Sequence, residues 1–255
     1  MIRHHLNNAG IALLPNIYTS NEIAALNRVI DPVFAAQREQ KRAYVRAKDM
    51  CKLDIARDVL TPRMRDVLFS ILPDPVLYHL HFYEIEAEQT ASHIFSESDD
   101  GWHRDADSTY RDTDPTHLSI FVYFRDVGPM DGPFEFAQGT AEGELDETTL
   151  ASSMQGPAGM SFIWNRRFYH RAAANRGKRR RRLLKVSVQR NEFESTHIKK
   201  PFFADLIRSV PAGDPKWDVL LGRYQKRAAP DLGDAPDVPW FAVAPSRPVA
   251  PQGGQ

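Results

Sequence analysis

Three features of the sequence predict an α+β fold that is mainly β, a double-stranded β-helix or jelly roll flanked by N-terminal and C-terminal helices. Between residues 76 and 190, short runs alternate apolar and polar side chains and are separated by Gly- and Pro-containing turns. Before this segment, and again after it, apolar residues recur at helical spacing. The chain has 255 residues and is 42% hydrophobic, enough for one large core, so residues 1–228 are expected to form a single domain. Residues 229–255, dense in Pro and ending Gly-Gly-Gln, read as an extended or disordered tail.

Ile11 to Leu14 is a short apolar strand. Ser20 is a candidate helix N-cap, and Ile23, Leu26 and Ile30 continue as an amphipathic helix that Asp31-Pro32 kinks or restarts. Residues 38–58 are rich in Arg and Lys and poorly periodic, which predicts a solvated connection, with a substrate entrance as the functional alternative. Thr61-Pro62 opens a second helix through Met64, Val67, Leu68 and Ile71, which Pro73 and Pro75 end.

From Val76 the period changes to two. Val76 to Glu86 places Leu77, His79, His81, Tyr83 and Ile85 on one face, with Val76, Tyr78, Leu80 and Phe82 on the other. Residues 87–101 form a polar loop, either lid or linker. His117 to Asp126 sets Ser119, Phe121 and Tyr123 against Leu118, Ile120, Val122 and Phe124. Phe134 to Ala137 and Met160 to Trp164 are further short strands, with turns at Gly128 to Pro133 and Gln138-Gly139-Thr140. Arg181 to Gln189 carries Leu184, Val186 and Val188 on one face and Arg181, Leu183, Lys185, Ser187 and Gln189 on the other. Phe202 to Arg208 and Pro215 to Lys226 are candidate helices, the second with an apolar stripe of Trp217, Leu220, Leu221 and Tyr224 suited to core packing.

Lys and Arg total 33 and so do Asp and Glu, so no global charge favours nucleic acid or a membrane surface. The basic run Lys178 to Arg182 reads as a solvated turn with one or two functional members rather than a nucleic-acid contact. Cys51 is the single cysteine, which excludes an intramolecular disulfide and fits a reducing compartment. No signal pattern opens the chain, and no apolar run approaches the roughly 18 residues that cross a bilayer. A cytoplasmic protein is expected.

The chemistry centres on Gly101-Trp102-His103-Arg104-Asp105. Two residues apart on an extended segment, His103 and Asp105 point to the same side and can hold one metal, with His170 as the candidate third ligand. Two histidines and one carboxylate on one face of an octahedral metal leave the opposite positions open for a co-substrate and dioxygen. His79-x-His81 is a rival half-site, although histidines on an aromatic-flanked strand are more often packed and hydrogen-bonded.

The collinear set of motifs resembles the phytanoyl-CoA dioxygenase family of Fe(II)- and 2-oxoglutarate-dependent oxygenases, over most of residues 8–190. Asn8 to Pro15 is similar to the start of that family, Trp102-His103-Arg104-Asp105 to its Trp-His-x-Asp, and Asp131-Gly132-Pro133-Phe134 through Thr140 to its Asn-Gly-Pro-Leu and following Pro-Gly-Ser. Gly159 to Trp164 through His170 and Asn175 resembles the stretch around its distal His. The resemblance implies a cupin-like jelly roll, Fe(II) held by His103, Asp105 and His170, and 2-oxoglutarate converted to succinate as a small-molecule substrate is oxidised by dioxygen. It also implies an Arg for the distal carboxylate of 2-oxoglutarate. Strand parity selects Arg181, with Arg182 as runner-up should the register slip. Where the family often has Ser two residues after the distal His, this chain has Ala172, so Tyr83, Ser119 or Ser187 are candidates to supply a hydroxyl. Related halogenases replace the carboxylate by a small residue, so Asp105 favours hydroxylation or a similar oxidation. A jelly-roll protein that binds without oxidising, and a zinc hydrolase using the same three ligands, are the alternative functions.

Overall fold

A computed structural model describes residues 6, 8–72, 74–90, 101–105, 117–140, 145, 149, 151–190 and 201–223. The expected tail, most of the polar loop at 87–101 and the end of the last expected helix lie outside the described residues.

Two antiparallel sheets form the centre. The larger contains β1 (Ile11–Leu14), β2 (Arg42–Arg46), β3 (Pro75–Ile85), β4 (His117–Tyr123), β7 (Ser161–Asn165) and β9 (Arg181–Arg190) in the order β1-β7-β4-β9-β3-β2. The smaller orders β6 (Ala151–Met154), β5 (Phe134–Ala137) and β8 (His170–Ala172) as β6-β5-β8. This is the expected jelly roll. Aromatic and apolar side chains fill the space between the sheets, among them Phe121, Tyr123, Phe134, Phe162, Trp164 and Leu183. The other face of the large sheet, with Leu80, Phe82, Ile120, Val122, Leu184, Val186 and Val188, packs against helices. Strand alternation sorts the two sets as the sequence predicts.

The helices are α1 (Ser20–Ala35), α2 (Ala47–Lys52), α3 (Ala56–Val59), α4 (Pro62–Ile71), α5 (Pro201–Ser209) and α6 (Pro215–Leu220). Among the described residues no helix is long and apolar enough to cross a membrane. The cap of α1 is Thr19, one residue before the expected Ser20, because Thr19 and Glu22 exchange hydrogen bonds as a capping box. Pro32 lies inside this helix and does not end it. Thr61 caps α4, its hydroxyl accepting from the Met64 amide at 3.2 Å, and Pro62 follows in the first turn. Leu220 and Leu221 of the C-terminal stripe join the helix-side core.

Two expectations need correction. Residues 38–58 are not a solvated connection: they hold β2, α2 and most of α3, and Ala43, Val45 and Met50 are fully buried. With five residues, β2 is too short for its period to stand out, and Arg42, Tyr44 and Arg46 mask the alternation with Ala43 and Val45. On β3 an irregularity between Leu77 and His79 shifts the register, so Leu77 joins the helix-side core and parts from His79, His81 and Tyr83.

Candidate metal centre

The register of the large sheet arranges its inner face in rows. Opposite one another lie Arg46, His81, Lys185, Phe121 and Phe162. On one side of this row lie His79, Ser187, Ser119 and Trp164. On the other side come Tyr44, Tyr83, Leu183 and Tyr123, and beyond them Arg42, Ile85 and Arg181.

The small sheet faces these rows and brings the expected ligands together. His103 and His170 exchange both backbone hydrogen bonds, at 3.0 and 2.9 Å, so the His-x-Asp segment docks on β8. The donor atoms of His103, Asp105 and His170 all lie within 4.8 Å of one another. Asp105 Oδ1 is 4.0 Å from His103 Nε2 and 3.9 Å from His170 Nε2. His103 Nδ1 lies 3.0 Å from the Gly101 carbonyl, and His170 Nδ1 lies 3.0 Å from the Phe168 carbonyl. Each carbonyl requires N–H at Nδ1, which leaves the Nε2 lone pair aimed at the common centre. Burial is the main cause that lowers the His170 pKa to about 3, so its imidazole is neutral, as metal ligation needs. Burial alone would raise the Asp105 carboxyl, but Lys185, His170, His103 and His79 outweigh it and hold the group below the usual range.

Two cations that sequence reasoning left without a role shape this centre. Arg166, buried just past β7, donates from Nε to Asp105 Oδ2 at 2.6 Å, which turns Oδ1 toward the histidines. Burial brings the Arg166 pKa down to about 9. Lys185 Nζ is 3.9 Å from the same Oδ2 and lies over the rings of Trp164 and Phe121, at 5.7 and 5.8 Å from their centroids. Its strand parity placed it on the inner face, but only the sheet pairing reveals its nearness to Asp105.

Arg181 and Arg182 point to opposite sides of the large sheet. Arg181 is buried between the sheets, where Nη1 donates to the Gly132 carbonyl and its charge reaches Tyr83 and Tyr123. The Gly132 backbone has φ +68, and a Cβ there would meet the Ala173 carbonyl oxygen at 2.8 Å, so the Gly-Pro turn can press against the β8–β9 connection only as glycine. Arg182 instead faces the helices, donating to Glu84 through Nε and Nη2 and to Asn27 through Nη1. Tyr83 lies between the triad and Arg181 in the sequence of rows. Ser119 and Ser187, hydrogen-bonded to each other at 2.8 Å, lie on the far side of the Lys185 row, six positions along β9 from Arg181. Ala172 is buried opposite Phe134 in the inter-sheet core. His79 and His81 stack edge to face at 4.5 Å, and neither belongs to the three-residue donor cluster.

A jelly roll with two histidines and an aspartate at the mouth of its inner face defines a non-haem metal enzyme of the 2-oxoglutarate-dependent class. The family model for phytanoyl-CoA dioxygenase matches residues 6–183, and the chain belongs to that family. Among solved structures, it is similar to the α-ketoglutarate-dependent epimerase SnoN from nogalamycin biosynthesis, with 17% identity, TM-score 0.58 and coverage of 74% of this chain and 80% of that one. It is also similar to HygX from Streptomyces hygroscopicus with nickel and 2-oxoglutarate bound, with 14% identity, TM-score 0.57 and coverage of 74% and 86%. The carbocyclase SnoK from nogalamycin biosynthesis shares the fold at 15% identity and TM-score 0.57, with coverage of 74% and 83%. No curated protein matches the chain.

Proposed function

We propose that this protein is an Fe(II)- and 2-oxoglutarate-dependent dioxygenase that hydroxylates or otherwise oxidises a small-molecule metabolite, with decarboxylation of 2-oxoglutarate to succinate. His103, Asp105 and His170 would hold the iron, and Arg181 would bind the distal carboxylate of the co-substrate. The observation that carries this reading is the convergence of two Nε2 atoms and Asp105 Oδ1 on one point, on the same inner face as the buried Arg181. When bound, iron and 2-oxoglutarate together supply the oxidising equivalent drawn from dioxygen.

The chain's own residues set the conditions. The Phe168 and Gly101 carbonyls orient the imidazoles, and Arg166 orients Asp105. Arg181 offers a permanent charge in a dry setting, where a guanidinium–carboxylate pair is strongest. Tyr83, whose hydroxyl burial keeps protonated, lies in the row between and can donate to a co-substrate oxygen, the role that Ala172 cannot fill. The aromatic side chains between the sheets would limit water on the inner side of a bound metal. Relatives named as an epimerase and a carbocyclase support an oxidation whose outcome depends on how the substrate is held.

The test is anaerobic titration of metal-free protein with Fe(II) and then 2-oxoglutarate, following the visible charge-transfer band of the chelate. The band is expected in wild type, lost in His103→Ala, and shifted to much higher 2-oxoglutarate concentration in Arg181→Ala. Folded, iron-loaded protein without a band would overturn the assignment in favour of a zinc hydrolase or a binding protein.

A further inference from the structure

The two histidine ligands sit in matching tripeptides, Trp102-His103-Arg104 and Tyr169-His170-Arg171, each an aromatic residue, a histidine and an arginine in that order. Antiparallel pairing runs one tripeptide backwards along the other, so this pattern is complementary to itself. With His103 opposite His170, Trp102 comes opposite Arg171 and Arg104 comes opposite Tyr169. Both pairs form. The Arg171 guanidinium carbon lies over the Trp102 ring at 4.6 Å from its centroid, and that of Arg104 over the Tyr169 ring at 4.3 Å. The histidine rings turn to one side of the pair, their centroids 4.4 Å apart, so the four flanking side chains lie on the other. All four are half-buried.

The backbone contributes little at this point, because His103 and His170 form an isolated bridge of two hydrogen bonds rather than a run of paired residues. Since those two residues exchange both bonds, the flanking pairs are of the closer, non-hydrogen-bonded kind, where opposed side chains interact most. Each arginine is also tied down. Arg171 donates from Nε to Glu135 Oε2 at 2.6 Å, directly opposite on β5, and Arg104 donates from Nη2 to the Thr140 carbonyl. The Thr140 hydroxyl accepts from the Tyr169 amide at 3.0 Å, so Arg104 and Tyr169 meet over a common support. Building on the metal-centre reading, we infer that Trp102, Arg104, Tyr169 and Arg171 are positioning residues: their two cation–π pairs clamp the His-x-Asp segment onto β8 and set the spacing of the imidazoles before a metal arrives. None of the four is a ligand. A segment held only by the bridge would spend part of its time undocked, and the apparent metal affinity would fall by the fraction docked.

The experiment is a double-mutant cycle on Arg104 and Tyr169, read as the Co(II) affinity of the metal-free full chain from the visible d–d absorption of the bound ion. Tyr169→Leu and Arg104→Met are each expected to weaken Co(II) binding by about two- to fivefold, the range of one part-exposed cation–π pair, and the double variant to bind no worse than the weaker single one. Tyr169→Phe keeps the ring and should bind as wild type. Trp102→Leu combined with Tyr169→Leu removes both pairs and should weaken binding by roughly tenfold. Urea unfolding of the same metal-free proteins separates positioning from general support. Lowered stability with undiminished Co(II) affinity overturns the inference, and so do additive effects of the two single variants or loss of affinity in Tyr169→Phe. Should Tyr169→Leu not fold, Arg104→Met against Arg104→Lys decides the same pair, since Lys keeps the cation and should restore affinity. Co(II) binding needs no 2-oxoglutarate. Wild type that binds Co(II) but gives no charge-transfer band with Fe(II) and 2-oxoglutarate therefore strikes the oxygenase reading and leaves the clamp standing, whereas wild type that binds no Co(II) removes the metal centre and the clamp together.

Discussion

The two faces of the large sheet are built from the same strands and differ in almost everything else. Toward the helices, Leu80, Phe82, Ile120, Val122, Leu184, Val186 and Val188 make an aliphatic surface, with charge confined to Arg182, Glu84 and their partners near one end. Toward the small sheet, the alternate positions of those strands carry aromatic rings, three histidines, Lys185 and Arg181. The difference shows how period-two alternation lets one strand serve stability on one side and chemistry on the other. Arg181 and Arg182, adjacent in sequence, are the plainest case: one is directed at the candidate co-substrate site and the other locks a helix to the sheet.

That division is open to attack from either side. The largest effect should come from the inner ligands: His170→Ala is expected to abolish metal-dependent turnover, and Arg166→Ala to weaken metal binding by roughly 10–100-fold through loss of Asp105 orientation. Metal titration and thermal melting of the same samples would check this, and the comparison requires the first to change far more than the second. On the outer face, Arg182→Ala removes the nearest of three cations around the buried Glu84, leaving Arg125 and Arg180 at 3.3 Å, and should cost roughly 1–3 kcal/mol, while Leu184→Ala should cost about 2–5 kcal/mol by leaving a cavity. Urea unfolding measures both. If Arg182→Ala instead left stability intact and raised the 2-oxoglutarate requirement, the assignment of the two arginines would be reversed.

A smaller effect separates the faces by pH. Burial lowers the pKa of His117, on the inner face of β4, from 6.5 to about 3. The unfolded chain then binds a proton at this position that the folded chain refuses. This contribution to stability is therefore complete above pH 6.5 and declines as pH falls toward 3. Unfolding of the metal-free protein at pH 7 and pH 4.5 should show less acid sensitivity in His117→Gln than in wild type, whereas Leu184→Ala should shift both curves equally. Identical acid sensitivity in all three proteins would remove His117 from the pH response.

Much of this organisation was legible because alternation survives in long strands. The faces of β4 and β9, and with them the opposite directions of Arg181 and Arg182, follow from parity, and the three metal-ligand candidates from motif order. Other parts left no local trace. Ala-Ser-Ser-Met on β6 has no hydrophobic alternation, since an edge strand of a small sheet needs little. The β3 irregularity reversed Leu77 without any glycine or proline at the site to announce it. Arg166 follows a strand in the run Asn165-Arg166-Arg167, which carries no motif, and its partner Asp105 lies 61 residues away. Long-range electrostatic pairs of this kind depend on sheet packing, to which local periodicity is blind.

The mutual backbone hydrogen bonds of His103 and His170 also bear on which ion the protein acquires. Because strand pairing already holds the two imidazoles, the pocket needs no metal to assemble it and imposes little coordination geometry beyond three donors on one face. Such a preformed nitrogen and oxygen site ranks divalent ions by their intrinsic order, in which copper, nickel and zinc stand above iron. Occupancy by iron is then a property of the surrounding metal supply, and protein taken from a different supply will carry a different ion in an unchanged fold.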